Sequence, residues 1–129
     1  MGMPMTAEDV VVGIFCQIEQ HIKKITADRE TLHRAFFETK RIFPEVMSLF
    51  TFRQREQFPE SEELDQALSN LDAAGLITRQ NLTPRYYCFE TSLSSSYGRF
   101  SSTILSSHGI DESKLQKAAL KIEEIAKHP

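Results

Sequence analysis

The sequence predicts an α+β fold that is mostly helical, and three observations carry that expectation. Apolar residues recur at helical spacing in five separate stretches, most of them with their own starting or stopping residues. Two short β-prone runs, Leu76 to Arg79 and Arg85 to Glu90, flank the turn-rich Asn81-Leu-Thr-Pro84. The chain has 129 residues, 40% of them hydrophobic and nine of them Phe, enough for one real core. Residues 1–129 are therefore expected to form one domain, with a core over 6–90 and a helical extension over 91–129.

The stretch that reads most completely runs from Phe58 to Ile77. Ser61 is a good N-cap, Glu62 and Glu63 put negative charge in the first turn, and Leu64, Ala67, Leu68 and Leu71 make an apolar stripe. Gly75 is the natural left-handed stop, and the chain leaves as a strand. We take this helix as the one around which the chain is organised. Upstream, Thr6-Ala-Glu-Asp9 reads as a capping box with Met5 and Val10 as its hydrophobic staple. The helix behind it carries Val11, Ile14, Phe15, Ile18, Ile22 and Ile25 on one face. A second helix is expected to start near Thr26 or Asp28, to turn Leu32, Ala35, Phe36 and Phe43 inward with Ile42 beside them, and to end before Pro44. Glu45 to Gln57 is expected to be a short helical turn leading into extended chain.

The serine-rich stretch from Ser92 to Ser107 has linker composition but helical periodicity. Leu93, Tyr97, Phe100 and Ile104 recur along one face, so a helix capped by Ser92 is expected, with Gly98 costing about 1 kcal/mol relative to Ala. Gly109 ends it and Asp111 caps the last helix, Glu112 to Lys127, whose stripe is Leu115, Ala118, Ala119, Ile122 and Ile125.

Composition and spacing weigh against several functions. A net charge of −3 gives no global pull toward nucleic acid or an anionic membrane. The longest apolar run, Val10 to Cys16, is far short of the roughly 20 residues a membrane span needs. No signal-peptide pattern precedes it, so a cytoplasmic protein is expected, with Cys16 and Cys88 as buried thiols. The four histidines are scattered. Glu30-Thr-Leu-His33 matches one Glu-x-x-His unit of a di-iron bundle, but no second unit exists, so Glu30 is read as solvated and His33 as partly exposed. There is no nucleophile elbow and no glycine-rich phosphate loop. Adjacent carboxylates such as Glu62 and Glu63 diverge by about 100° on a helix. No catalytic residue, cofactor or metal is expected, and the protein is read as a non-enzyme.

A helix with a small-residue stop followed by Gly75-Leu-Ile77 resembles the third helix of a winged helix-turn-helix domain handing over to its wing. The resemblance covers about Thr6 to Glu90 and concerns fold, since such a scaffold hosts several functions. It implies that the helix after Ser61 would read DNA, yet from Glu56 to Asp72 there are six carboxylates and no Lys or Arg. Pressed on phosphates, that face would repel. Protein binding is therefore expected, with Glu62, Glu63, Asp65 and Gln66 facing a basic partner. The alternative is a DNA-binding transcriptional regulator using Lys40, Arg41, Arg53, Arg55, Arg79, Arg85 and Tyr86. A homodimer is also expected, paired through Leu93, Tyr97, Phe100, Ile104, Leu115, Ile122 and Ile125, because two further apolar stripes in the tail seek cover.

Overall fold

A computed structural model describes residues 4–19, 26–54, 58–75, 77–83, 86–90 and 97–127. In chain order these give α1 (Ala7–Glu19), β1 (Thr26–Asp28), α2 (Arg29–Ile42), β2 (Arg53–Gln54), β3 (Pro59–Glu60), α3 (Glu62–Ala73), β4 (Thr78–Thr83), β5 (Tyr86–Glu90), α4 (Tyr97–Ser107) and α5 (Glu112–Lys127). The mostly helical α+β expectation holds.

The start signals fold as written. Asp9 takes the Thr6 N–H at 3.1 Å while the Asp9 N–H donates back to the Thr6 hydroxyl at 3.2 Å, a reciprocal capping box, and Met5 packs on the core beside buried Val10. Ser61 accepts from the Leu64 N–H, and Asp111 accepts from the Lys114 N–H. Gly75 and Gly109 sit at φ +76° and +85°, the left-handed geometry that a side chain resists.

Burial corrects the choice of organising helix. On α1, Val10, Val11, Val12, Gly13, Ile14, Phe15 and Ile18 are all buried, so it is covered around most of its circumference instead of along one face. It packs against α3, α4 and α5, and α5 reaches across to α2. The helix that is apolar nearly all round sits at the centre. By contrast α3 buries only Leu64, Ala67, Leu68 and Leu71 and keeps a polar outer side. Ile22 and Ile25 lie outside the described residues.

The sheet is richer than expected. β4 and β5 form the anticipated antiparallel hairpin, with an irregularity between Asn81 and Thr83. β1 adds on the other side of β5, giving the order β1-β5-β4, with Ala27 opposite Phe89. Three residues before α2 thus belong to a strand, and the second helix starts at Arg29 behind its N-cap Asp28. Helices with this hairpin are compatible with a winged-helix-like arrangement.

Between α2 and α3 the chain makes one helical turn at 44–49 and then extends, as expected. Its extended part pairs as β2 with β3, Arg53 opposite Glu60, a short ladder that sequence reasoning did not anticipate. Phe50 is fully buried and meets Phe36 edge to face at 5.4 Å, which ties this connection to α2. Ile42, expected beside the inner face, is 53% exposed at the last residue of α2. Within the described residues α4 begins at Tyr97 and Gly98 is helical; Ser92 and Leu93 lie outside the described residues.

Candidate functional site

The densest polar arrangement joins the start of α2 to the start of α3. Arg29, the first residue of α2, donates from Nε and Nη2 to the two oxygens of Asp65 at 2.9 and 2.7 Å, and from Nη1 to Glu60 at 3.1 Å. Two parallel N–H···O bonds between a guanidinium and a carboxylate fix orientation as well as distance. One helical turn on, His33 is wholly buried, with Nε2 at 2.9 Å from Asp65. Its Nδ1 lies 3.0 Å from the Ser61 N–H. A backbone N–H can only donate, so Nδ1 accepts and the ring proton sits on Nε2, given to Asp65. Phe58 closes the group: its ring meets His33 edge to face at 5.9 Å and carries the Arg29 guanidinium 5.4 Å above it.

The expectation that His33 is partly exposed is therefore overturned. Spacing places it beside Leu32 and Phe36 on the inner side of α2, and the N-terminus of α3 supplies the partners that let a polar ring stay there. Glu30 points elsewhere, toward Arg34 at 3.8 Å. Ser61, His33 and Asp65 do not form a nucleophilic triad, because the serine offers its backbone to the ring while its hydroxyl accepts from Leu64 and donates to Glu63.

Electrostatics follow the contacts. Partial burial opposes ionisation of Asp65, but hydrogen bonds from His33 and Arg29 and the guanidinium charge outweigh it and hold the carboxyl at about 2. Arg29 is raised above its ordinary value, chiefly by the same bond to Asp65. Glu63 is lowered: slight burial works against the anion, while the N–H and hydroxyl of Thr51, both at 2.8 Å, favour it.

Of the four residues expected to meet a partner, two are thus engaged within the chain. Asp65 is bound to His33 and Arg29, and Glu63 holds Thr51, whereas Glu62 and Gln66 are exposed, Gln66 donating to Asn70 at 2.9 Å. Around them Thr51, Arg53, Glu60, Glu62, Glu63 and Asp65 line a small notch of about 60 Å³. Among the described residues no group of three or more His, Cys, Asp and Glu is arranged to hold a metal ion.

Of the cations expected on a nucleic-acid surface, Lys40 and Arg41 lie together near the end of α2. Lys40 donates to the Phe50 carbonyl, pinning the turn after α2, and Arg41 is exposed beside Glu38. Arg53 borders the acidic notch. Arg79 and Tyr86 are placed by register alone, opposite Phe89 and Thr83, and Arg55 and Arg85 lie outside the described residues.

The stripe assigned to dimerisation is corrected too. Ile104, Leu115 and Ile122 are buried within one chain, and Ile125 packs on the same core. Leu105 and Leu115 approach α1 at Gly13, so α4 and α5 cover α1 with these residues. Of Tyr97 and Phe100 on α4 only the backbone is described, and Leu93 lies outside the described residues. Cys16, expected buried, is partly exposed.

No family model, curated protein or solved structure matches the chain. Among the described residues, no helix is long and apolar enough to cross a membrane.

Proposed function

We propose that the chain is a non-catalytic, winged-helix-like interaction module whose acidic α3 side receives a basic surface of another protein. One observation supports this above others: Glu60, Glu62, Glu63 and Asp65 converge on a single notch at the start of α3, lined by Arg53 and with Arg29 bonded to Glu60 and Asp65. Asp65 and Glu60 are paired with Arg29, so the uncompensated negative charge there rests on exposed Glu62 and on Glu63, which the N–H and hydroxyl of Thr51 hold in place. A Lys or Arg side chain arriving from a partner finds oriented carboxylates, which favours association and selects the sign of the partner. The same charge argues against DNA binding through this helix, since phosphates would be repelled where counterion release should drive binding. The proposal does not include self-association through the last two helices, because Ile104, Leu115 and Ile122 are covered by their own chain.

Two titrations decide between this reading and a DNA-binding regulator. A labelled lysine-rich peptide should bind in fluorescence anisotropy and lose about tenfold or more in affinity on Glu62→Lys, which reverses an exposed charge. Random duplex DNA bound at roughly sub-micromolar Kd with a steep salt slope would reverse the conclusion and move the interface to the arginines around α2 and the hairpin.

A further inference from the structure

Extended chain at 51–53 alternates its side chains between two sides. Thr51 and Arg53 line the acidic notch, while Phe52 lines a second concavity, an open groove of about 350 Å³ with Phe37, Lys40, Arg41 and Pro44. The two hollows have opposite character. Four carboxylates line the first; the second has two cations, three apolar side chains and no carboxylate. Ile42, next to Arg41 in the chain, is one of two large apolar residues among those described that are strongly exposed.

We infer that this groove is a second docking site, which takes an acidic peptide segment carrying an apolar anchor. The anchor rests on Phe37, Phe52 and Pro44, and acidic residues flanking it meet Lys40 and Arg41. The cations are set by the fold: Lys40 is held by its bond to the Phe50 carbonyl, and Arg41, 3.3 Å from Glu38, is 67% exposed at the side chain. Neutralising two cations at the rim of an apolar groove supplies sign selectivity, and filling the groove removes aromatic surface from water.

Aromatic rings beside cations also suit single-stranded nucleic acid, but the geometry disfavours it. Phe37 and Phe52 meet edge to face, with centroids 5.5 Å apart and planes at 66°, so they do not offer parallel platforms for successive bases. A polyanion leaving past residue 52 also runs into Glu60, Glu62 and Glu63 across the partition. A short segment with one anchor avoids most of that repulsion.

The probe is a fluorescein-labelled dodecapeptide of Asp and Glu with one Leu and one Phe three positions apart, followed by fluorescence anisotropy on the intact chain. Binding is expected at roughly 10–100 μM Kd, weakened about tenfold by replacing Leu and Phe with Ala, and about tenfold by Arg41→Glu, an exposed site whose change leaves the core alone. Phe52→Ala should weaken binding likewise while thermal melts confirm folding. Glu62→Lys on the opposite hollow should leave this affinity within about twofold, which separates failure here from failure of the acidic-surface proposal. No anisotropy change up to about 1 mM peptide would overturn the inference. So would equal binding of the anchor-free peptide, an unaffected Arg41→Glu variant, or tighter binding of single-stranded DNA to the same residues.

Discussion

His33 uses both ring nitrogens, one toward the Ser61 N–H and one toward Asp65, and the ring itself is wholly buried. Removing the ring leaves a void, an orphaned N–H at the start of α3 and a carboxylate short of a donor. His33→Ala should therefore destabilise the fold by about 2–4 kcal/mol in urea unfolding, well above a surface change. Asp65 makes the network sensitive to acid. Its folded value of about 2 lies below its ordinary 3.8, so the folded state binds fewer protons there. The stability it contributes is complete above roughly pH 4 and is lost as pH falls toward 2. Asp65→Asn should flatten that part of the profile; equal acid sensitivity in variant and parent, followed by circular dichroism, would show that other carboxylates dominate it.

Helix packing is close where α1 meets α4 and α5. A Cβ added at Gly13 would stand 2.7 Å from the Leu105 Cδ1 and 3.5 Å from both methyls of Leu115. Helix propensity favours replacing this glycine, by about 1 kcal/mol toward Ala, but the approach of two buried leucines opposes it. Gly13→Val adds bulk that these neighbours cannot absorb and should destabilise by about 1–3 kcal/mol, read as a lowered melting temperature. The cap at α3 is the complementary case. Ser61→Ala should cost about 1 kcal/mol through the lost acceptor for Leu64, while the backbone N–H that holds His33 remains.

At the scale of the whole molecule, the C-terminal helices are part of the core. Leu105, Leu115, Ala118 and Ile122 are buried together with the α1 residues in a single cluster. Leu115→Ala should cost about 2–5 kcal/mol, as much as Leu68→Ala on α3, whereas a residue reserved for a dimer contact would change the monomer little. Truncation after Glu90 should leave an unfolded or molten chain by near-ultraviolet circular dichroism, because α1 would lose the partners that keep it from water. A truncated protein with sharp tertiary signals would return the tail to the role of an appendage.

Much of this was legible locally, because caps and periodicity act within a few residues. Thr6, Ser61, Gly75, Gly109 and Asp111 announce their turns by backbone chemistry alone, and the stripes of α3 and α5 follow from 3.6 residues per turn. What the sequence left undecided depends on which elements meet. Three-residue β1 needs β5 beside it, and two-residue β2 needs β3, since so short a strand has no stability until its ladder is paired. An apolar stripe states that a face will be covered but not by what; the tail of this chain covers α1, where a second copy was the expectation. The polar centre shows the same division. Spacing sets His33 beside Leu32 and Phe36, but nothing near it in sequence supplies the partners a buried ring needs, because Asp65 and the Ser61 N–H lie 32 and 28 residues away. The sequence alone determined the helices, their ends and the acidic cast of α3, while tertiary structure decided that α1 is the centre and that His33 is buried against half-buried Asp65, because only packing brings distant partners close enough to offset the cost of burying polar groups.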